Sequence, residues 1–413
     1  MSAGSDSVVQ ASAAERANQR NAVLAGFLGW TLDAFDFFVL VMCLEGVARD
    51  FHRSIPDIAL TLTASLAMRP VGALIFGVMA DHYGRRLPLM LDIIFYSVVE
   101  VCSGLAPNYA VFFALRLLYG IGMGGEWGVG ASLTLESIPA KWRGVFSGLL
   151  QEGYACGYLL AAAVAFYVYP HFGWRPMFFI GGLPALLSLF IRAKVKEPAA
   201  WHESRTDWSS YWRQIAGNWR RFLYLVLLMM FMNGMSHGTQ DLYPTFLKKQ
   251  LHFSVQLTSV ITIVSMIGAL IGGVVVGLYS DRVGRRRAMV TSTAAALCLI
   301  PLWVGVRSLP LIFIGAFLMQ FMIQGAWGVI PAHINELSPS ATRGFFPGFA
   351  YQTGVLCASG ISYLEARMGE AMTYQHALTY SMLVVMVIAG VVIGFGPEEK
   401  GIHFTRRAMV KAG

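Results

Sequence analysis

The sequence predicts an all-α integral membrane protein of twelve transmembrane helices in two six-helix halves, and three observations carry that prediction. Of 413 residues, 56% are hydrophobic and only 13% charged, far too apolar a balance for a water-soluble fold. Twelve apolar runs, centred near residues 35, 69, 96, 120, 156, 183, 234, 267, 297, 321, 355 and 385, can each cross a bilayer as a helix. Finally, GVMADHYGRRL at 77–87 returns as GLYSDRVGRRR at 277–287, an offset of 200 without a gap. The register persists, with Gly125, Trp127, Gly128, Glu136, Pro139, Arg143 and Gly144 meeting Gly325, Trp327, Gly328, Glu336, Pro339, Arg343 and Gly344. The chain therefore reads as a duplicated six-span unit.

Residues 1–20 are polar, carry Arg16 and Arg20 beside the first span, and lack the organisation of a cleaved signal. They are expected to form a cytoplasmic tail. A first six-helix bundle follows at 21–191, a cytoplasmic linker at 192–221, a second bundle at 222–396 and a cytoplasmic tail at 397–413. This layout puts 22 of the 31 Lys and Arg residues on the inner side and 7 on the outer. That bias predicts both termini in the cytoplasm and a multi-pass protein of the cell (inner) membrane. Cationic loops beside anionic lipid also absorb the net charge of +8, so no nucleic-acid partner is implied. The linker sets Arg192, Lys194, Lys196, Arg205, Arg213, Arg220 and Arg221 among Trp and Ser, which suggests short helices lying at the bilayer surface. Cys43, Cys102, Cys156, Cys298 and Cys357 all fall in spans without paired spacing, and read as small apolar core residues rather than disulfides or metal ligands. No cofactor is called for, and a monomer is expected.

Taken in order, span one reads GWTLDAFDFFVL and carries Asp33 and Asp36; span two places Arg69 near the bilayer midplane. A lone buried arginine is intolerable there, so Arg69 needs Asp33 or Asp36 as its anionic partner. That tie is either a permanent strut or the resting state of a site whose guanidinium meets a substrate carboxylate in bidentate fashion. Asp92 and Glu100 in span three, Arg116 and Glu126 in span four and Glu152 in span five read as structural ion pairs. His333 and Glu336, near an inner helix end, read the same way.

Span seven contains NGMSHGTQDLYPT at 233–245, a polar run inside an apolar helix. Asn233, His237 and Asp241 stand i, i+4, i+8 on one face, with Ser236 and Gln240 in the adjacent row. Gly234, Gly238 and Pro244 allow a bend. Such a ladder either lines a solute pathway or bonds helices together. Together, His and Asp favour the pathway.

The two GxxxDxxGRR loops resemble those that follow the second and eighth spans in the major facilitator superfamily. The resemblance covers essentially the whole chain and implies two pseudo-symmetric bundles working by alternating access. At the inner face, Asp81 and Asp281 can face the positive end of a neighbouring helix. Arg85, Arg86, Arg285 and Arg286 can pair with Glu136 and Glu336, and with Arg143 and Arg343 they would form a latch; alternatively the arginines only fix topology. In span four, RLLYGIGMGGEW resembles the motif of proton-coupled members.

At 233–245 the pattern is narrower. Asn233, Ser236, His237, Thr239, Gln240, Asp241 and Thr245 fill every position of the NxxSHxTQDxxxT signature of Jen-type lactate and pyruvate permeases, which belong with the sialate:proton symporters. AYQTG in span eleven places Gln352 where those permeases shape substrate choice. The long polar tails of the fungal proteins are missing, as is the extra membrane insertion of sialic acid carriers.

The resemblance implies proton-coupled symport of small monocarboxylates such as lactate or pyruvate. Arg69 would bind the carboxylate, Asn233 and Gln240 would donate hydrogen bonds, and Tyr154 and Gln352 would bound the far end. Asp33, with Asp36 beside it, is the first candidate for the proton, released from Arg69 when substrate takes the guanidinium. His237, a side chain that ordinarily titrates near neutral pH, is the alternative, oriented by Asp241. Other readings are a proton symporter of a sialic, dicarboxylic or aromatic acid and, beyond these, a drug/proton antiporter. A solute receptor would need a larger cytoplasmic segment, and an enzyme a second metal-ligand pair.

Overall fold

The structure, a computed structural model, describes residues 13–204, 208–402 and 404. Residues 1–12 of the expected first tail, Arg205 of the linker, and residues 403 and 405–413 of the last tail lie outside the described residues. Helix is the only regular structure among them. Four continuous rods open the chain: α1 (Ala13–Asp50), α2 (Ile55–Tyr83), α3 (Arg86–Gly104) and α4 (Tyr109–Ser137). Span five divides at Glu152 into α5 (Arg143–Gln151) and α6 (Gly153–Phe172); span six divides at a Gly-Gly-Leu-Pro turn into α7 (Arg175–Ile180) and α8 (Ala185–Lys194). The linker holds α9 (Ala199–Ser204) and α10 (Trp208–Gly217). The second half repeats the plan with α11 (Trp219–Gln240) and α12 (Tyr243–Lys249), α13 (Val255–Val283), α14 (Arg285–Val304), α15 (Leu309–Leu337), α16 (Phe346–Ala358) and α17 (Ile361–Ala371), and α18 (Tyr374–Gly394).

Among the described residues nine segments are long and apolar enough to cross a membrane. The glycine-rich α4 with its Arg116 and Glu126, and the divided sixth and eleventh spans, complete the twelve.

The duplication reaches down to the helix ends. Ser54 caps α2 by accepting from Asp57 N, in a capping box that also holds the Asp57 carboxyl below its ordinary range. Two hundred residues on, Ser254 accepts from Leu257 N at 3.2 Å. Gly84 (φ 103°) and Gly284 (φ 107°) make the sharp turns into α3 and α14, a backbone region where a Cβ is strained.

Burial is inverted relative to a soluble protein. Asp33, Asp36, Arg69, Asp92, Glu100, Arg116 and Glu126 are buried, while Phe166, Phe172 and Phe395 are largely exposed, the arrangement expected when the surroundings are lipid. Here one expectation fails. Only Cys43 is a core residue; Cys102, Cys298 and Cys357 face outward and Cys156 is half-buried. In a bilayer both sides of a helix are apolar, so a small apolar residue does not reveal which side it takes.

The bundles meet through α5 against α13 and α15, and through α16 against α2 and α4. These are the halves of the spans nearest the two GRR loops, called the inner end. Gly144 and Gly148 of α5 lie directly on the Gly277 and Gly273 carbonyls of α13, an approach that leaves no room for a Cβ. Among the described residues no comparable packing joins the outer halves, so the bundles are held together at the inner end.

Candidate functional site

Arg69 is the central residue of α2, and its position is set by α4. Gly120 and Gly124 press against the Ser65 and Arg69 carbonyl oxygens, bringing the two backbones into contact. Arg69, only 5% exposed, holds its guanidinium 3.5 Å from the fully buried Asp33. That spacing is an ion pair without a hydrogen bond: Arg69 Nε and Nη2 donate to no group among the described residues. A planar cation with unused donors at mid-bundle is suited to a carboxylate.

The surroundings are acidic. Asp33, Asp36, Asp92, Glu100 and Glu126 are all fully buried within the spans of the first bundle, and the buried arginines away from its inner end are Arg69 and Arg116. Arg116 is already spent, pairing with Glu100 at 2.6 Å, donating to Ser103 Oγ and lying over the Tyr119 ring at 4.4 Å. Asp36, Asp92 and Glu126 have carboxyl oxygens without a hydrogen-bond partner. Three earlier expectations are therefore corrected: Asp92, Glu126 and Glu152 are in no ion pair among the described residues, whereas Glu100 with Arg116 is. Asp36 is not the partner of Arg69 either; three residues beyond Asp33 on the helix, it turns toward Gly181 and Glu100. Burying bare carboxylates costs several kcal/mol each, which sets this bundle apart from the second. Glu126 packs over Gly29, one turn of α1 from Asp33.

Aromatic rings wall the same level. Trp127 stacks on Tyr351 at 4.3 Å, Trp30 on Tyr154 at 5.7 Å, and Trp327 meets Tyr351 edge-on. Gln352, beside Tyr351, is 1% exposed, with neither amide atom partnered. Arg69 lies within electrostatic reach of both Tyr154 and Tyr351.

Across the interface, α11 ends at Gln240 and the chain breaks before Pro244. Asn233 turns back on its own helix, Nδ2 donating to Met229 O at 2.7 Å. His237 and Asp241 pair at 3.3 Å, with 47% and 37% of their side chains exposed. Gln240 donates to Gln320 Oε1 at 2.9 Å, Gln320 to Thr239 Oγ1 at 3.0 Å, and Gln324 to Ser236 Oγ at 2.8 Å. The structure thus gathers Arg69, Asp33, Tyr154 and Gln352 at one level and keeps the His237–Asp241 pair nearer the mouth. Gln320 and Gln324 escaped the sequence reading, although an i, i+4 glutamine pair in an apolar span is the same signal that marked span seven. Glu365 escaped too: it is buried, accepts from Ser381 Oγ at 2.6 Å and abuts Gly238.

At the inner end, Asp81 accepts from Gly344 N and Phe345 N ahead of α16, and Asp281 from Gly144 N and Val145 N at the start of α5. Each carboxylate thus reaches across to the other bundle's helix end. Arg85 pairs with Asp81 and with Glu136 at 2.9 Å; Arg285 pairs with Asp281 and with Glu336 at 3.0 Å. Arg86 and Arg286 depart from the expected pairing. Their N–H groups donate to Glu197 and Glu398, and Arg286 Nη1 donates to Gly396 O. The linker joins in: Tyr211 donates to Asp81 at 3.0 Å and Trp201 to Asp81 O, while burial raises the Glu197 carboxyl above its ordinary range.

Arg143 and Arg343, equivalent by repeat, hold the Phe404 ring between them at 3.4 and 3.9 Å, and Arg143 donates to Ile402 O. Each such contact is worth about 0.5–2 kcal/mol. Phe404→Ala is therefore expected to loosen the inner end, speeding the labelling of a cysteine placed at Ala341 by roughly two- to thirtyfold. An unchanged labelling rate would make the ring a passenger.

Residues 26–246 match the family model described as Major Facilitator Superfamily, and residues 195–408 match that of Sugar (and other) transporter. A carboxylic acid transporter protein homolog of Saccharomyces cerevisiae is 28% identical over 377 residues, covering 85% of this chain; this chain spans 61% of its length. The sialic acid transporter NanX of Escherichia coli is 31% identical over 344 residues, 81% of this chain and 84% of that protein. Among solved structures, the proton:xylose symporter XylE bound to 6-bromo-6-deoxy-D-glucose superposes with a TM-score of 0.74 at 18% identity, covering 96% of this chain and 99% of that one. This last likeness is one of fold.

Proposed function

The chain belongs to the major facilitator superfamily, and within it we propose a proton-coupled symporter of small organic monocarboxylates, lactate and pyruvate first among them. The observation that carries this reading is the Arg69–Asp33 pair, a buried guanidinium with unused donors at the centre of α2. In this mechanism the anion enters from the outer end past His237 and Asp241. It then displaces Asp33 from Arg69, and Asp33 takes up a proton because its counter-charge is gone.

Anion and proton then cross together as the bundles at 21–191 and 222–396 rock and the contacts of Asp81, Asp281, Arg85, Arg285, Glu136 and Glu336 part. Coupling answers an electrical need. An anion alone entering against 100 mV costs about 2.3 kcal/mol, and with one proton nothing. The protein would act as a monomer in the inner membrane of the cell, with both termini inside.

The test is uptake of labelled lactate into proteoliposomes under an inside-alkaline gradient, with protonophore and with unlabelled pyruvate, succinate and sialic acid as competitors. Accumulation that collapses with protonophore and yields mainly to pyruvate supports the reading; a gradient without effect overturns the coupling. Gln352→Leu is expected to raise the apparent KM roughly two- to tenfold with turnover kept, the worth of one hydrogen bond. An unaltered KM would remove Gln352 from the site.

One observation favours a second reading. The stacks of Trp127 on Tyr351 and Trp30 on Tyr154 give the site flat apolar walls, which suit a planar conjugated acid. Benzoate outcompeting pyruvate in the same assay would select it.

A further inference from the structure

We propose that the second half carries a site for the headgroup of an anionic phospholipid, at the inner end between α13, α14 and α18. A cavity of about 480 Å³ lies there, lined by Tyr279, Arg286, Arg287, Thr291 and Gly394 among others. The Arg286 guanidinium is anchored by Gly396 O at 2.9 Å, and Arg287 forms no ion pair among the described residues. Of the nearby acids, Glu399 is neutralised by Arg221 at 2.6 Å, and Glu398 accepts the backbone N–H groups of Arg285 and Arg286. Two guanidiniums, Arg286 and Arg287, against the single carboxylate of Glu398 leave the cavity an excess of positive charge. Exposed apolar side chains stand on the same helices, Val275 and Leu278 on α13 and Val387 and Val391 on α18, with Phe395 just after it. Phosphate oxygens at the arginines with acyl chains along those faces would satisfy both surfaces.

The duplication supplies an internal control. Under the offset of 200, Arg287, Thr291 and Gly394 correspond to Leu87, Leu91 and Lys194. Leu87 and Leu91 are exposed, as Arg287 and Thr291 are. At the first two positions one half thus shows leucine to the lipid and the other a cation and a hydroxyl, while at the third the cation, Lys194, stands in the first half against Gly394. Positive-inside topology asks for basic residues in inner loops; it does not ask for a cavity, nor for this asymmetry. The site is independent of which acid the protein carries.

The experiment is native mass spectrometry of the full-length protein in detergent, titrated with phosphatidylglycerol or phosphatidylcholine. Wild type is expected to retain one phosphatidylglycerol in preference to phosphatidylcholine. Arg287→Leu, which installs the residue the other half already folds with, should weaken that retention roughly fivefold, the value of one basic residue at a lipid surface. Arg282→Leu, which removes an exposed arginine outside the cavity lining, should leave it unchanged. Equal losses in the two variants would mean diffuse attraction and overturn the site, as would equal retention of both lipids. Displacement of phosphatidylglycerol by glycerol 3-phosphate at comparable concentration would assign the cavity to a soluble phosphate and overturn the lipid.

Discussion

Replacing Arg69 by alanine is expected to abolish uptake while the protein still reaches the membrane. The guanidinium is the anion's counter-charge, and truncating one partner of a desolvated charge pair costs about 2–5 kcal/mol, on the order of thirty- to several-thousand-fold in affinity. The same change strips Asp33 of its cation, so lost function could be read as a damaged fold. Arg69→Lys separates the two. A lysine keeps the charge and the ion pair with Asp33 but presents a point charge in place of a fork. It should restore wild-type thermal stability in detergent and leave substrate affinity well below normal. If Arg69→Ala transports normally, the site lies elsewhere; if Arg69→Lys is wild type in both respects, bidentate recognition is discarded.

Much of this organisation could be read from residues alone, because duplication writes each constraint twice. Ser54 and Ser254 cap equivalent helices, Gly84 and Gly284 take the same left-handed turn, and even His52 and His252 share a positive φ, 51° and 56°. The positions of Arg69 and Asp33 follow from length, since both are a fixed number of residues from a helix end.

Rotation is where the sequence falls short. Asp33 and Asp36 differ by three positions, nearly a full turn, and packing decides which of the two meets α2 and which meets α3. The same ambiguity made structural pairs of Asp92 and Glu126, which form no ion pair among the described residues, and made partners for Glu136 and Glu336 of Arg86 and Arg286, whose backbones bind other acids. Phe404 carries no local signal at all: its place is fixed by two arginines that only tertiary structure brings together.

The second large effect concerns the proton. Asp33→Asn is expected to keep exchange of labelled for unlabelled substrate and to lose accumulation driven by pH, which for one-to-one coupling amounts to about tenfold per pH unit. An amide fills the carboxyl's space but carries no exchangeable charge, and with Asp33 neutral Arg69 meets the anion without competition, so substrate affinity should hold or rise. Glu126→Gln sharpens the argument. Glu126 packs one helical turn from Asp33 and feels both Asp33 and Arg69, so a proton leaving Asp33 has a buried acceptor beside it. If Asp33 is the carrier and Glu126 a relay, Glu126→Gln slows pH-driven uptake but leaves the final accumulation ratio intact, because a relay alters rate and a carrier alters coupling. If Glu126→Gln erases the ratio and Asp33→Asn does not, the roles are reversed, and Asp33 is the permanent strut to Arg69. Should both variants accumulate normally, the proton passes through the exposed His237–Asp241 pair, and His237→Gln should then lose the gradient dependence that the first bundle's carboxylates do not supply.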